Sequence, residues 1–353
     1  MNMPSGDFWR GKRVLVTGHT GFKGSWLCCW LLQLGANVTG IALPPCTSPA
    51  LFEALGLDAR MPSVLSDIRK PQSLAEQIAD IQPEVVFHLA AQSLVRPSYE
   101  SPLETFETNI MGTANILEAL RHCKSVRAVV VVTTDKVYQN PEDGRAFAED
   151  DSLGGHDPYS ASKAACEIVV ESYRRSFLQH NGIALASARA GNVIGGGDWS
   201  VDRLLPDAIK AWQQSKPVFI RNPASVRPWQ HVLDPLAGYL TLAQALYHHP
   251  DLAMAYNFGP EADDAIPVGE LMGLAVQHWP GADVVVQVQL NAPHEAALLR
   301  LNASRATQVL EWQPRWRVTQ AVMRSMDWYL GFYAGKDAWE LCCADIRAYG
   351  EAK

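Results

Sequence analysis

Tyr159 and Lys163 stand four residues apart in "DPYSASKAACE", behind a proline at 158. Proline suits the first turn of a helix, where no amide donor is needed, so the stretch reads as a helix start. A spacing of four then puts both side chains on one face. A lysine cation beside a tyrosine stabilises phenolate and draws its pKa down from about 10, which equips the pair to take a proton from a hydroxyl. A second polar group closes "VVVVTTDKVYQN" at 129–140, where four valines run into Thr133, Thr134, Asp135 and Lys136. The valines read as a buried strand, whose end delivers a hydroxyl, a carboxyl and an amine to one spot. Alone, a Tyr and Lys at this spacing are more often a surface pair, and a single lysine is usually a solvated loop cation. Together the two groups describe acid–base chemistry.

Stepping along the chain, short β-branched runs alternate with helix-period segments. "RVLVT" (13–17), "NVTGIA" (37–42), "SVLSD" (63–67), "EVVFHLA" (84–90), "AVVVVT" (128–133) and "ALASAR" (184–189) read as strands, with helices expected at 24–34, 71–81, 102–122 and 158–180. Strand and helix in strict turn, with nearly continuous apolar strands, predict an α/β fold: a Rossmann-like doubly wound, mostly parallel sheet. After about residue 192 the pattern loosens into Gly-, Pro-, Trp- and Arg-rich stretches, which predicts a smaller mixed substrate domain over the carboxyl edge of the sheet. The expected division is a dinucleotide domain at 1–192 to which the chain returns around 222–256, a substrate domain from 193–221 and 257–335, and a tail at 336–353.

The strand "RVLVT" leads directly into "GHTGFKG", residues Gly18, His19, Thr20, Gly21, Phe22, Lys23 and Gly24. Glycines at a strand-to-helix turn let the backbone turn tightly and approach a pyrophosphate, which the helix N-terminus attracts. A dinucleotide is therefore expected here, with Asp67 and Ile68 beside the adenine. Leu89, Ala90, Ala91 and Gln92 should run along the pyrophosphate and ribose, and Asn109, Thr133, Tyr159 and Lys163 should complete the site. His88 reads as a packed strand residue. An acid that would select NAD is expected about 20 residues beyond the loop. That place reads "IALPPCTSP", without acid or arginine, and only Lys23 could meet a 2′-phosphate. NAD is the expected cofactor.

The chain has 353 residues, 48% hydrophobic and 19% charged, which suits a folded protein with a sizeable core. A net charge of -7 argues against nucleic acid or an anionic membrane as the main partner. No stretch approaches the roughly 18 apolar residues of a membrane span, and no signal-like apolar region precedes the first strand, so a cytoplasmic protein is expected. Seven cysteines, without a CxxC pair or histidines at metal-site spacing, read as reduced thiols and suggest no metal.

The glycine loop with Tyr159 and Lys163 resembles the extended short-chain dehydrogenase/reductase superfamily. "TTDKVY" is similar to the strand-end motif of its nucleotide-sugar 4,6-dehydratases. With "GHTGFKGSWL", "PYSASKAACE", "ARAGNVIGGGDW" and "RPWQHVLDPLAGYL", the likeness runs from about Trp9 to Trp328 and points to the members that act on CDP-glucose. The glycine loop and the Tyr–Lys helix are common to the superfamily; the other motifs are more specific. The resemblance implies that Tyr159, helped by Thr134 and Lys163, removes the proton of the glucose 4-hydroxyl while C4 is oxidised by NAD. The ketone then acidifies the C5 proton, a base removes it, and Asp135 protonates the departing 6-hydroxyl. The commoner dTDP-glucose pattern has glutamate where this chain has Lys136, and the CDP-glucose enzymes share the lysine; Lys136 is the expected base. A lysine charged at neutral pH cannot take a proton, so this reading requires Asp135 to carry the proton when Lys136 acts.

The resemblance also implies that Asn192 meets the substrate diphosphate, with Arg203 and Arg227 as neutralising cations and His231, Asp234 and Glu295 as lesser candidates. It implies a deoxysugar pathway, such as one that builds lipopolysaccharide, and a homodimer paired through helices bearing Ile110, Ala114, Leu117, Ala164, Ile168 and Val169. Another nucleotide-sugar dehydratase or a 4-epimerase would share Tyr159 and Lys163, but an epimerase has no use for an elimination acid. A dinucleotide-sensing regulator on the same fold would need none of the Thr, Tyr and Lys set.

Overall fold

Val14 and Val16 pack to one side of their strand and Leu15 to the other, and the same alternation recurs in the strands beside it. Both faces of the sheet are therefore covered, which is why its strands carry so few polar residues. The computed structural model describes residues 4–287 and 299–352. Seven strands form the sheet: β1 Arg13–Thr17, β2 Asn37–Ala42, β3 Ser63–Leu65, β4 Val85–His88, β5 Ala128–Val132, β6 Ala184–Ala190 and β7 Ala255–Phe258. Their order is β7-β6-β5-β4-β1-β2-β3, and all six pairings are parallel. The order reverses between β1 and β4, so successive crossovers leave in opposite directions and open a crevice at the carboxyl ends. Register brings those ends level, with Thr17 opposite His88 and His88 opposite Val131. His88 is the packed residue expected: it is buried, its Nδ1 is 2.7 Å from Thr17 Oγ1, and its Nε2 is 3.0 Å from Thr113 Oγ1.

Helices α1 (Phe22–Gln33), α2 (Pro71–Ile81) and α3 (Pro158–Tyr173) occupy three of the predicted segments. The fourth, expected as one helix at 102–122, is broken by a π-helical turn at Glu107–Met111 between Pro102–Phe106 and Gly112–Arg121. Such a turn widens the helix locally, and this one carries Asn109 towards the crevice. Of the apolar residues on these helices, Leu117 and Ala164 are buried in the core, whereas Leu103, Met111 and Ile168 are 82%, 54% and 61% exposed.

Past β6 the chain builds a second lobe from short pairings, Val218–Ile220 with Val284–Val286 and Val226–Pro228 with Ala265–Pro267. Helix α4 (Leu233–His248) lies against β5 and β6 and leads to β7, the sheet strand that periodicity alone did not mark. Helix α5 (Val318–Tyr333) follows. The final residues, expected as a tail, form α6 (Ala338–Glu351), which packs Cys342 and Tyr349 inward beside α1. Among the described residues no helix is long and apolar enough to cross a membrane.

Candidate active site

A cleft of about 1670 Å³ opens at the carboxyl ends of the strands, between the sheet and the second lobe. Its floor begins at the glycine loop. Gly18 has φ +75°, and a Cβ there would lie 2.7 Å from the Ala90 nitrogen; one on Gly24 would lie 2.1 Å from the Gly18 carbonyl oxygen. Both positions are therefore closed to any side chain. Gly21 meets nothing nearer than 3.5 Å and faces the cleft, where backbone approach to a phosphate needs room. Helix α1 starts at Phe22 without a side-chain cap, which leaves its first amides to the cleft.

Thr20, Phe22, Lys23, Asp67, Ile68, Leu89, Ala90, Ala91, Gln92 and Thr133 all line this cleft. Lys23 is pushed down to about 7 by burial, with the Arg203 charge adding to the effect. His19 and Asn109 do not reach it. The His19 ring is buried against Gly40 and Phe52 with Nε2 2.7 Å from Ser63 Oγ, and burial lowers its pKa to about 4. It braces the neighbouring strands as a neutral ring. Asn109 accepts from the Gln92 amide at 2.8 Å and donates to the Gln92 carbonyl at 3.0 Å and Ser162 Oγ at 2.8 Å. It ties the loop after β4 to α3 and supports the cleft from behind. Asp67 is held below the usual carboxylate range by its hydrogen bond to Arg69, 2.7 Å away, against the opposing effect of burial.

Helix α3 opens with Asp157 as cap, its Oδ1 accepting from the Ser160 amide at 2.9 Å. Two residues on, Tyr159 is buried with Thr134 near its hydroxyl. Burial pushes its pKa up to about 12; the Thr134 hydroxyl and the Arg203 charge oppose this, while the carboxylates of Asp135 and Asp157 add to it. Lys163 donates to the Val132 carbonyl at 3.1 Å, and burial lowers its pKa. Lys163 therefore fastens α3 to the end of β5, and a Tyr159 phenolate needs a further positive charge beside it.

The strand-end turn completes the arrangement. Thr134 Oγ1 donates to Asp135 Oδ1 at 2.9 Å, and Lys136 Nζ donates to the same oxygen at 2.9 Å and lies 3.5 Å from Asn192 Oδ1. Thr134, Asp135 and Lys136 are thus joined by hydrogen bonds, and Thr134, Lys136 and the nearby Tyr159 line the cleft. The Asp135 side chain is 2% exposed and that of Lys136 25%.

Arg203 and Arg227 line the cleft with Asn192. His231 does not. Gln230 and His231 pair with Val193–Ile194, and the imidazole is buried between Trp26 and Trp316, its pKa lowered to about 3 by burial. Arg227 and Trp229 line the cleft, but the chain leaves one pairing at Pro228 and enters another at Gln230, so the alternation is broken and this ring goes to the core. Asp234 is likewise internal, its Oδ1 accepting from the Arg315 amide and Tyr349 hydroxyl, both at 2.8 Å. Glu295 lies outside the described residues. Two lining arginines escaped the sequence reading: Arg96 and Arg221, 3.3 and 3.6 Å from Asp202 Oδ1. Arg96 follows Gln92 by four residues in "QSLVRP", so its signal was proximity to the cofactor strand.

Comparison with known proteins gives the family and the fold. The sequence model of the GDP-mannose 4,6 dehydratase family matches residues 15–325. CDP-glucose 4,6-dehydratase of Salmonella typhimurium is 46% identical over 337 residues, covering 94% of each chain. A dTDP-glucose 4,6-dehydratase of Xanthomonas campestris is 26% identical, over 90% of this chain and 92% of its own. Among solved structures, dTDP-glucose 4,6-dehydratase DesIV from Streptomyces venezuelae, with NAD and TYD bound, superposes with a TM-score of 0.75 at 24% identity, covering 92% of this chain and 99% of the other. UDP-glucuronic acid 4-epimerase from Bacillus cereus, with UDP-glucuronic acid and NAD, gives 0.77 at 24%, over 91% and 99%. At that identity the two structures speak for the fold.

Proposed function

The chain belongs to the GDP-mannose 4,6 dehydratase family, and from that membership we propose that it is an NAD-dependent CDP-glucose 4,6-dehydratase, converting CDP-D-glucose to CDP-4-keto-6-deoxy-D-glucose and water. The observation that carries the reading, beside the 46% identity to the Salmonella enzyme, is the set Tyr159, Thr134, Asp135 and Lys136. An epimerase working at C4 has no use for its second half.

The glycine loop and the open amides of α1 fit a pyrophosphate, since Gly21 is the one loop glycine with space before it. Gly18, Gly24, Ala90 and Gln92 would hold the rest of NAD, with Asp67 and Ile68 at the adenosine end. Bound NAD supplies the oxidation at C4 and the matching reduction at C6. Tyr159 takes the proton of the sugar 4-hydroxyl, and Thr134 Oγ1 steers its phenol oxygen. Once C4 is a ketone, Lys136 Nζ takes the C5 proton and Asp135 protonates the leaving 6-hydroxyl; as C6 is reduced, the Lys136 ammonium returns a proton to C5. Moving one proton across the 2.9 Å bond between them turns the ion pair into a neutral amine and a neutral acid, the state both roles need. Asn192, Arg203 and Arg227 meet the diphosphate; guanidinium groups suit phosphate oxygens because they donate two parallel hydrogen bonds.

Residues 1–192 with the returning α4 and β7 make up the cofactor lobe in this reading, and the later segments the nucleotide-sugar lobe. All seven cysteines are unpaired, in keeping with a reducing cytoplasm. The test is direct. Purified protein is incubated with the glucose esters of CDP, dTDP, UDP and GDP, and the products are scanned for a 4-ketone under alkali. The ketone should appear with CDP-glucose, and deuterium placed at C4 should emerge at C6. A C4 epimer, or a ketone from another nucleotide alone, overturns the assignment.

A further inference from the structure

Glu167 lies one helical turn beyond Lys163 on α3, on the side that carries Tyr159, and it is buried. The chemistry above gives it no work. Yet Glu167 Oε1 accepts from Thr133 Oγ1 at 2.5 Å, and Oε2 accepts from Ser187 Oγ at 2.6 Å and Arg189 Nη2 at 2.8 Å. Arg189, buried on β6, turns its other nitrogen, Nη1, to the Tyr138 hydroxyl at 2.8 Å and the Glu149 carbonyl at 3.0 Å. Tyr138 in turn donates to Asn257 Oδ1 on β7 at 2.6 Å.

Thr133 and Tyr138 are the first and last residues of "TTDKVY". Everything between them is the turn that bears Thr134, Asp135 and Lys136. We propose that the Glu167–Arg189 ion pair is a positioning clamp: it grips both ends of the acid–base turn and fixes that turn against the helix that presents Tyr159 and Lys163.

Two physical points support the clamp. Burial works to raise the Glu167 pKa, but the Arg189 charge and the hydrogen bonds prevail and hold it below the ordinary value, so the carboxylate is acceptor-only. A guanidinium is donor-only. Thr133 and Ser187 must then donate, and Tyr138, which accepts from Arg189, must donate to Asn257. Apart from the unpartnered Arg189 Nε, the protons shared in the network have one place each, which favours one arrangement of the turn. The second point concerns cost. A buried ion pair is often no better for stability than apolar residues of the same volume, so its stability alone is a weak reason for it, whereas a fixed geometry is a strong one.

The proposal rests on the dehydratase reading, and its test separates the two. Wild-type protein must first form the 4-ketone from CDP-glucose; if it forms none, the functional reading fails. Tyr138→Phe then removes one hydroxyl while keeping the ring stacked on Phe147, 5.0 Å away. It loosens the Lys136 end, so kcat should fall about tenfold or more, as small misplacements of reacting groups do. KM for CDP-glucose should stay within about twofold, and NADH should accumulate in the steady state because elimination slows more than oxidation. Thr133→Val loosens the Thr134 end, so there the slowed step is oxidation and NADH should not accumulate. The double variant Glu167→Gln/Arg189→Met removes the clamp without stranding a charge, and should lose kcat even where its melting temperature matches wild type. Wild-type kcat in Tyr138→Phe or in the double variant, or losses that merely follow melting temperature with no difference in NADH between the two ends, would overturn the clamp while leaving the function standing.

Discussion

Replacing Lys136 with methionine keeps the length of the side chain and removes its amine. In the structure that amine makes one short bond, 2.9 Å to Asp135 Oδ1, and lies 3.5 Å from Asn192. Asp135 keeps its bond from Thr134 Oγ1, so the turn retains a tether. Lys136 is a quarter exposed but Asp135 is nearly buried, so losing the amine leaves a buried carboxylate short of one partner, a cost between the ~1 kcal/mol of an exposed pair and the ~3–5 kcal/mol of a fully buried one. The variant should fold. A positioned general base is worth ~10²–10⁴-fold, about 3–5 kcal/mol of barrier, and that loss should fall on the C5 step. The first oxidation depends on Tyr159, Thr134 and Lys163, the last held on Val132 rather than on the turn, and should slow by no more than about tenfold. Single-turnover absorbance with CDP-glucose should therefore show NADH formed and not consumed, with the 4-keto sugar bound. Exchange of the C5 proton with heavy water, followed by mass spectrometry, should drop by two to four decades. If Lys136→Met exchanges C5 at the wild-type rate, Lys136 is not the base. If oxidation and exchange fall by the same factor, the lysine merely orients the sugar.

Tyr159→Phe should abolish NADH formation in a single turnover while costing no more than about 1 kcal/mol of stability, since only one hydroxyl is removed; NADH formed at the wild-type rate would remove Tyr159 from the mechanism. Because burial raises Tyr159 to about 12, its contribution to folding is whole below about pH 10 and is lost as the pH climbs towards 12, so wild type should lose stability relative to Tyr159→Phe across that window, seen as a narrowing gap in urea midpoints. Leu103, Met111 and Ile168 are exposed on the 102–121 segment and on α3, and light scattering at micromolar concentration should return a homodimer mass; a monomer mass would refute the pairing.

The sheet was legible because its signal is local. Valines at 129–132 and the glycine trio at 18, 21 and 24 each state their place within a few residues, and the catalytic turn follows from where the valines stop. What could not be read depends on partners distant in sequence. His231 sits in a motif full of cleft residues, yet its ring goes to Trp316, 85 positions away by number, and nothing near "WQHV" announces that tryptophan. His19 is inside the cofactor loop but belongs to Ser63 and Gly40; a glycine on β2 facing a histidine is visible only once β1 and β2 are paired. The π turn at Glu107–Met111 breaks no rule of composition, since its cause is the place Asn109 must reach beside Gln92. β7 was missed because "AYNF" is four residues long and half polar, and its right to a strand comes from Asn257, which closes the network around Arg189.

The lysine at 136 also bears on the step before its own. The Asp135 carboxylate is among the charges that push Tyr159 upward, and Asp135 is bonded to Thr134, which lies near the phenol. A carboxylate at 136 would add a second negative charge to a turn next to a phenol that must become an anion. Lys136 instead sets a cation on the Asp135 oxygen that faces Thr134, and the turn presents a nearly neutral pair while Tyr159 loses its proton. In the proposed reaction, the same pair would exchange one proton internally when the C5 proton is taken, and would stay neutral. An acid and a base that share an oxygen therefore let both halves of the reaction proceed without a change of net charge in the turn. A tightly held geometry serves this because the exchange depends on a bond of 2.9 Å, which no longer conducts a proton once the two ends of "TTDKVY" can drift.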